Sequence, residues 1–260
     1  MEKMELISIL GIPVVWLRLR EISPLIANLL EERGKVRSPG ILDKKIIFYV
    51  DAYHFNIANK DSFYKKILQT ATFVHASGMG PVLASKMLGS PLPERTPTPD
   101  FIEEIFTIAE KKKWSFYLLG GEKDVVEKTV QNLRKKFPGL KIAGYHHGFF
   151  TNNNKIVEEI NRAKPDIVLV GMGPPKQEKW IEENKDKINA KVFWAVGALF
   201  DILSGKRKRA PNWMQDLGLE WAYRVGQEPK RLWRRYIFGN IEFLFIVLKE
   251  RVAFFHKSSH

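Results

Sequence analysis

Three glycine-rich loops each lead into a helix-forming stretch: Ser77-Gly78-Met79-Gly80-Pro81, Leu118-Leu119-Gly120-Gly121 and Gly171-Met172-Gly173-Pro174-Pro175. Amides exposed at a helix N-terminus suit an anion such as a diphosphate, and glycine lets that ligand come close to the backbone. The same glycines would be needed if the loops did nothing but turn tightly. None has the spacing of a P-loop or of the GxGxxG dinucleotide fingerprint. The third loop continues into Lys176-Gln177-Glu178-Lys179-Trp180. A glutamine at that point can give and accept hydrogen bonds to a sugar or a base, or it can simply cap the helix.

Phosphate chemistry also needs cations, and the chain is rich in them. Its 42 Lys and Arg outnumber 29 Asp and Glu, for a formal charge of +13. From Lys206 onward there are 12 basic residues against five acidic ones, a field that attracts phosphates in nucleotides, lipid headgroups or nucleic acid. The run Lys206–Arg209 reads equally as solvated loop, nucleic-acid patch or phosphate clamp. Further on, Arg224, Arg231, Arg234 and Arg235 alternate with Trp221, Tyr223, Trp233 and Tyr236. Aromatics of this kind sit at a headgroup interface while guanidinium groups hold phosphates, although single-stranded nucleic acid suits the pattern too.

Other chemistries find little support. The chain has no cysteine, which excludes disulfide scaffolds, thiolate metal sites and thiol nucleophiles. His146 and His147 are adjacent rather than spaced along one helix face, and no Asp-x-Asp pair occurs. Neither a metal site nor a cofactor is expected.

The elements that must position these loops follow from periodicity. Strands are expected at Lys45–Val50, Thr72–His75, Ser115–Leu119, Lys141–Tyr145, Ile167–Gly171 and Val192–Val196. Helices are expected at Asp61–Gln69, Pro81–Leu88, Pro99–Lys111, Lys123–Phe137, Lys155–Ala163 and Pro175–Asn184. This alternation predicts an α/β domain, a Rossmann-like, mostly parallel sheet whose ligand crevice lies beyond the carboxyl ends of the strands. Strands stop near Leu203, so the expected division is residues 1–203 as the α/β core and 204–260 as a basic, aromatic-rich helical appendage.

The first 22 residues lack the features of a signal peptide, since Glu2 and Glu5 occupy the region that should be positive. The apolar run Ile241–Leu248 contains Glu242 and is far shorter than the roughly 20 residues of a spanning helix. The protein is expected to lie on a membrane without crossing it.

Taken together, the motifs resemble the WecG/TagA/CpsF family of bacterial glycosyltransferases from about Lys45 to Glu250. The resemblance rests on LGSPLPER (88–95), FYLLGGEKDVVEK (116–128), FPGLKIAGYHHGFF (137–150) and VGMGPPKQEKWIEEN (170–184). It continues through VGALFDILSGKRKRAPNWMQDLGLEWAYR (196–224) and QEPKRLWRRYIFGN (227–240). The resemblance implies transfer of a sugar from a UDP-sugar, with inversion, to a polyprenyl-diphosphate-linked sugar. The work would be done at the inner, cytoplasmic face of the cell membrane by a peripheral protein with a membrane-associating appendage. It implies an anionic membrane surface as a partner, a possible homo-oligomer and no nucleic acid.

For site residues the resemblance implies Gln177 as an active-site polar contact and Arg95 as a contact to donor or acceptor. Arg224, Arg231 and Arg234 fall where the family has diphosphate-neutralising arginines. Donor-binding roles are expected for Tyr49, Gly78, Gly80, Gly120, Gly121, Gly171, Gly173 and Lys176. Family members read Pro-Asp-Gly-x-Gly after the second strand, with the Asp as general base, and Thr-x-Asn at the end of the strand before. Here the first stretch is Ala76-Ser77-Gly78-Met79-Gly80 and the second is Tyr49-Val50-Asp51. The Ser77 hydroxyl has no useful proton affinity at neutral pH. Neighbouring strand ends lie only about 5 Å apart, so Asp51 could take over as base, or it could merely cap the helix that follows. A base from elsewhere, such as His75 or Asp100, or a chain that binds nucleotide without catalysis, are the alternatives.

Overall fold

The computed structural model describes residues 5–31 and 44–258, with the side chains of Arg231 and 254–258 outside that description. An antiparallel hairpin, β1 (Leu6–Ile9) and β2 (Ile12–Val15), turns through Leu10-Gly11 and is followed by α1 (Leu19–Glu31). The core then alternates as expected. It runs β3 (Lys45–Val50), α2 (Ala52–Lys60), α3 (Ser62–Gln69), β4 (Phe73–Ala76), α4 (Met79–Met87), α5 (Thr98–Lys112), β5 (Ser115–Gly120) and α6 (Lys123–Lys136). It continues with β6 (Lys141–His146), α7 (Asn153–Ala163), β7 (Ile167–Gly171), α8 (Lys176–Asn184), β8 (Val192–Ala195) and α9 (Leu199–Leu203). Three helices close the chain: α10 (Asn212–Asp216), α11 (Glu220–Gln227) and α12 (Pro229–Ser258). All six expected core strands and all six expected helices are present, displaced by two residues or fewer at their ends. The hairpin, α1, α2 and α9 are additions to that expectation.

The six core strands are all parallel, in the order β4-β3-β8-β7-β5-β6. Strand β7 is buried along its whole length, as a central parallel strand covered on both faces must be. Alternate side chains feed two apolar layers. Phe48, Val50, Val168, Val170, Phe193 and Ala195 pack under one set of helices, and Ile47, Ile167, Leu169, Val192 and Trp194 pack under the other. In α5 the buried set Phe101, Ile102, Ile105, Phe106 and Ala109 has the spacing of a single helical face.

The connection out of β3 lays β4 on one side, whereas the later strands approach from the other side and end with β8 beside β3. The two directions of winding meet at β3 and β8, where such a sheet opens a crevice at its carboxyl end. Helix α12 crosses this end and packs on α2 and α4. Asn56 Nδ2 donates to the Gly239 carbonyl at 2.7 Å, the Phe55 and Phe243 rings lie 5.5 Å apart, and Lys60 pairs with Glu242 at 2.6 Å.

The strand ends approach one another at backbone level. Gly120 has φ +147°, and a Cβ built on it would stand 2.2 Å from the Gly171 carbonyl oxygen. Gly120→Ala is therefore expected to cost about 2 kcal/mol or more, through backbone strain and a clash with main chain that cannot move aside. A thermal melt should show the loss as a fall in Tm. Gly226→Ala, in an open stretch of α11, is the control and should leave Tm unchanged or raise it slightly.

Candidate active site

A cavity of about 870 Å³ lies between the strand ends and the closing helices. One wall comes from the turns that leave β3 and β4, carrying Tyr49, Asp51, Ser77, Gly78 and Gly80. The turns after β5, β7 and β8 supply Gly121, Gly171, Gly173, Lys176 and Gly197. The opposite wall is built by α11 and α12, with Trp221, Arg224, Arg235, Tyr236, Phe243 and Leu244. The turns after β4, β5 and β7 open α4, α6 and α8, so three helix N-termini face the same space.

Beneath this floor runs a buried polar chain. Gln177 is fully buried, and its Oε1 accepts from the amides of Gly173 at 3.1 Å and Gly197 at 3.0 Å. Its Nε2 donates to Glu178 Oε1 at 2.7 Å, and the side chain also meets the Tyr49 hydroxyl. Gly197 has φ +55°, and a Cβ there would come within 2.2 Å of that hydroxyl. Glu178 is itself fully buried and faces His54 Nε2 at 3.7 Å. On its other side the His54 imidazole donates through Nδ1 to Asp51 Oδ1 at 2.7 Å. That oxygen also caps α2, accepting from the amides of Tyr53 at 2.9 Å and His54 at 3.1 Å.

Charge follows from this geometry. Burial alone would strip the proton from His54. The carboxylates of Asp51 and Glu178 outweigh it and push the imidazole up to about 9. Burial pushes the Asp51 carboxyl up as well, but the charge and hydrogen bond of His54, and then Arg235, hold it far below the usual carboxylate range. His75, one strand over, has no such partner. Burial pushes its imidazole down to about 4, so it is neutral.

The free oxygen of Asp51 faces Arg235 across the cavity at 3.5 Å. The Arg235 guanidinium lies over the Tyr53 ring at 3.9 Å, and its Nε has no hydrogen-bond partner. Arg224 donates to the Tyr236 hydroxyl at 3.1 Å. Arg95 stands 3.6 Å from Asp100 and 3.7 Å from Glu220, while Arg207 is paired with Glu228 at 2.8 Å. Lys176 donates to the Gly148 carbonyl at 2.8 Å beside the exposed Phe149 ring.

Of the residues singled out from sequence, Tyr49, Asp51, Ser77, Gly78, Gly80, Arg95, Gly121, Gly171, Gly173, Lys176 and Arg224 line this one cavity. Asp51 and Ser77 are side by side because Val50 and Ala76 pair in register. Gly120 lies directly behind Gly171, and Gln177 beneath the floor, with its amide used within the protein. Arg234 is exposed on the outer face, 5.3 Å over the Trp233 ring. The side chain of Arg231 lies outside the described residues. His75 is enclosed in the core, and Asp100 is held by Arg209 and Arg95. Sequence reasoning grouped Arg235 with the tail arginines that could hold phosphates, without separating it from Arg234, and did not single out His54, Glu178 or Gly197, to which nothing in the pattern pointed. Among the described residues no three His, Asp or Glu side chains converge as a metal cradle.

Comparison with known proteins places this arrangement. The profile of the glycosyl transferase WecG/TagA/CpsF family matches residues 7–257. An N-acetylglucosaminyldiphosphoundecaprenol N-acetyl-beta-D-mannosaminyltransferase of Bacillus subtilis (strain 168) is 35% identical over 212 residues, covering 80% of this chain and 82% of that protein. The protein of the same name from Staphylococcus aureus (strain MW2) is 34% identical over 180 residues, 69% of this chain and 70% of its own. With a match over nearly its whole length and relatives covered to that extent, the chain belongs to the WecG/TagA/CpsF family of glycosyl transferases.

Proposed function

We propose that this chain transfers N-acetylmannosamine from a UDP-linked donor to N-acetylglucosamine carried on a polyprenyl diphosphate, with inversion at the anomeric carbon. The observation that carries this reading is the composition of the cavity at the strand ends, in which helix N-termini and glycine amides face guanidinium groups from α11 and α12. Two diphosphates need such a site, one on the leaving nucleotide and one on the lipid. The names of the relatives supply the sugars and the lipid.

In the reaction an acceptor hydroxyl attacks the anomeric carbon from the face opposite the nucleotide. The new C–O bond forms as the bond to the β-phosphate breaks, and UDP leaves with the electron pair. Charge grows on the diphosphate, where donors fixed in advance stabilise the transition state most. Arg224, Arg235, Arg95, Lys176 and the loop amides are the groups for that task, and no metal ion is required by the proposal. The hydroxyl proton passes to Asp51 through its free oxygen. His54, and after it Arg235, hold that carboxyl far below the usual range, and a diphosphate that draws the guanidinium away raises its proton affinity. Gln177 acts from below, by fixing the two glycine amides.

The acceptor's lipid calls for an apolar approach. Ile237, Phe238, Ile241, Leu244, Phe245, Leu248 and Val252 are all exposed on α12, with Phe245 at 73%, and their spacing makes one helical stripe. Leu244 belongs both to the stripe and to the cavity wall. No described helix is long and apolar enough to cross a membrane. An interfacial helix at the inner face of the cell membrane, with Lys230, Arg234 and Lys249 toward headgroups, fits these features.

Two outcomes are expected. Asparagine caps a helix as well as aspartate does, so Asp51→Asn keeps the α2 cap and removes only the charge. Turnover should fall by about a hundredfold or more while UDP affinity by calorimetry changes little; full turnover would remove Asp51 from the chemistry. Phe238→Glu with Phe245→Glu should abolish co-sedimentation with phosphatidylglycerol vesicles and leave UDP affinity intact. Unchanged vesicle binding would mean that another surface, or a second copy of the chain, uses the stripe.

A further inference from the structure

We propose that His54 is a positioning residue that keeps Asp51 ionised and aimed into the cavity, acting as a buried cation between Asp51 and Glu178. This deepens the catalytic reading of Asp51 and rests on it for its functional consequence, though not for its test. His54 is fully buried, in a protein whose other enclosed histidine, His75, has only the Thr96 carbonyl within 2.7 Å of its Nδ1. An imidazole so enclosed is ordinarily neutral, because desolvation disfavours the charged form. Here both ring nitrogens face carboxylates, Asp51 at 2.7 Å and Glu178 at 3.7 Å, and neither carboxylate has another cation as close.

The groups facing this site come from every element packed around it. Tyr49 of β3 meets the imidazole edge-on, with ring centroids 4.6 Å apart. Tyr64 of α3 approaches Glu178, and its hydroxyl stays protonated because burial and that carboxylate both oppose its ionisation. His75 of β4 is neutral. Gln177 of α8 donates to Glu178 Oε1, the same oxygen that His54 Nε2 faces. Arg235 of α12 reaches only the outer oxygen of Asp51. His54 is therefore the one charge that can satisfy Glu178 and the inner oxygen of Asp51 together. Without it, Asp51 would lose the largest of the contacts that favour its charged form, and its proton affinity would rise.

The sign follows directly. The folded Asp51 carboxyl lies far below its ordinary value, so it stays ionised through the whole range in which the protein is handled. Replacing His54 with a neutral donor of similar reach moves that ionisation upward. The carboxylate would then be lost at a higher pH than in the wild type as pH falls.

The experiment follows the Asp51 carboxyl carbon by NMR from pH 7 to pH 3 in the wild-type chain and in His54→Gln, with folding checked by amide spectra. We expect no Asp51 titration in the wild type and a complete one in His54→Gln. In a turnover assay the acid limb of kcat/KM should move up by at least about one pH unit. An Asp51 signal that does not titrate in His54→Gln overturns the proposal and leaves His54 a core residue, even if the variant is less stable. Should His54→Gln not fold, the 15N shifts of the wild-type imidazole at pH 7.5 decide. Two protonated ring nitrogens support the proposal, and one protonated nitrogen overturns it. The carboxyl titration needs no substrate, so a wild type with no turnover would count against the transferase reading alone.

Discussion

The geometry of the strand ends hangs on where one buried amide sends its hydrogen bonds. Gln177 takes the Gly173 and Gly197 amides on its oxygen, and from its nitrogen starts the chain Glu178–His54–Asp51. The turns after β7 and β8 are thus tied to the turn after β3, three adjacent strand ends in one hydrogen-bonded and ionic run. Unpaired buried polar groups cost more than paired ones return, so this run holds together only as a whole. The glycines above it answer to the same constraint. The tight approach at Gly120 and Gly171, and at Gly197 and Tyr49, leaves no room for a side chain where the backbone must face a ligand.

Against this fixed floor stands a wall whose charges are shared. Arg95, Arg207 and Arg235 each face a carboxylate, so bringing them into a cleft does not strand bare cations in a poor solvent. A diphosphate has to compete for them, and what it gains is the difference between its own contacts and those it displaces. That competition ties ligand entry to the electrostatics of Asp51 through Arg235. Helix α12 serves both tasks: one face carries Arg235, Tyr236 and Phe243 into the cleft, and another exposes the apolar stripe.

Much of this was legible in the sequence. Strands such as Ile167–Gly171 are continuous apolar runs between turn residues, and the glycine loops lie at their ends because a parallel sheet admits no other place for them. The failures have physical causes. Helix α2 was left out of the expected elements, although Asp51 was a candidate cap, because its sequence has no clean apolar stripe. The hairpin was missed because Leu6–Val15 is a nearly continuous apolar run whose turn, Leu10-Gly11, lacks the Asn-Gly or Asp-Gly signal. Arg234 and Arg235 differ only in helical phase, and the contact of α12 with α2 turns the second inward. Gln177 and Glu178 looked like the polar start of an exposed helix, whereas tertiary packing buries both. His54, an unremarkable residue in sequence, stands between two carboxylates that only the fold brings together.

The central claim is that this cleft joins a nucleotide-linked sugar to a lipid-linked one. Its most direct test is product formation from UDP-N-acetylmannosamine and a short-chain polyprenyl-diphosphate-N-acetylglucosamine, with chelator present and the anomeric configuration read by NMR. The account predicts a disaccharide on the lipid with inverted configuration at the transferred sugar, formed at an undiminished rate in chelator. No product from this or any other UDP-sugar, in a chain that still binds UDP, would contradict it and leave a nucleotide-binding protein without transferase activity.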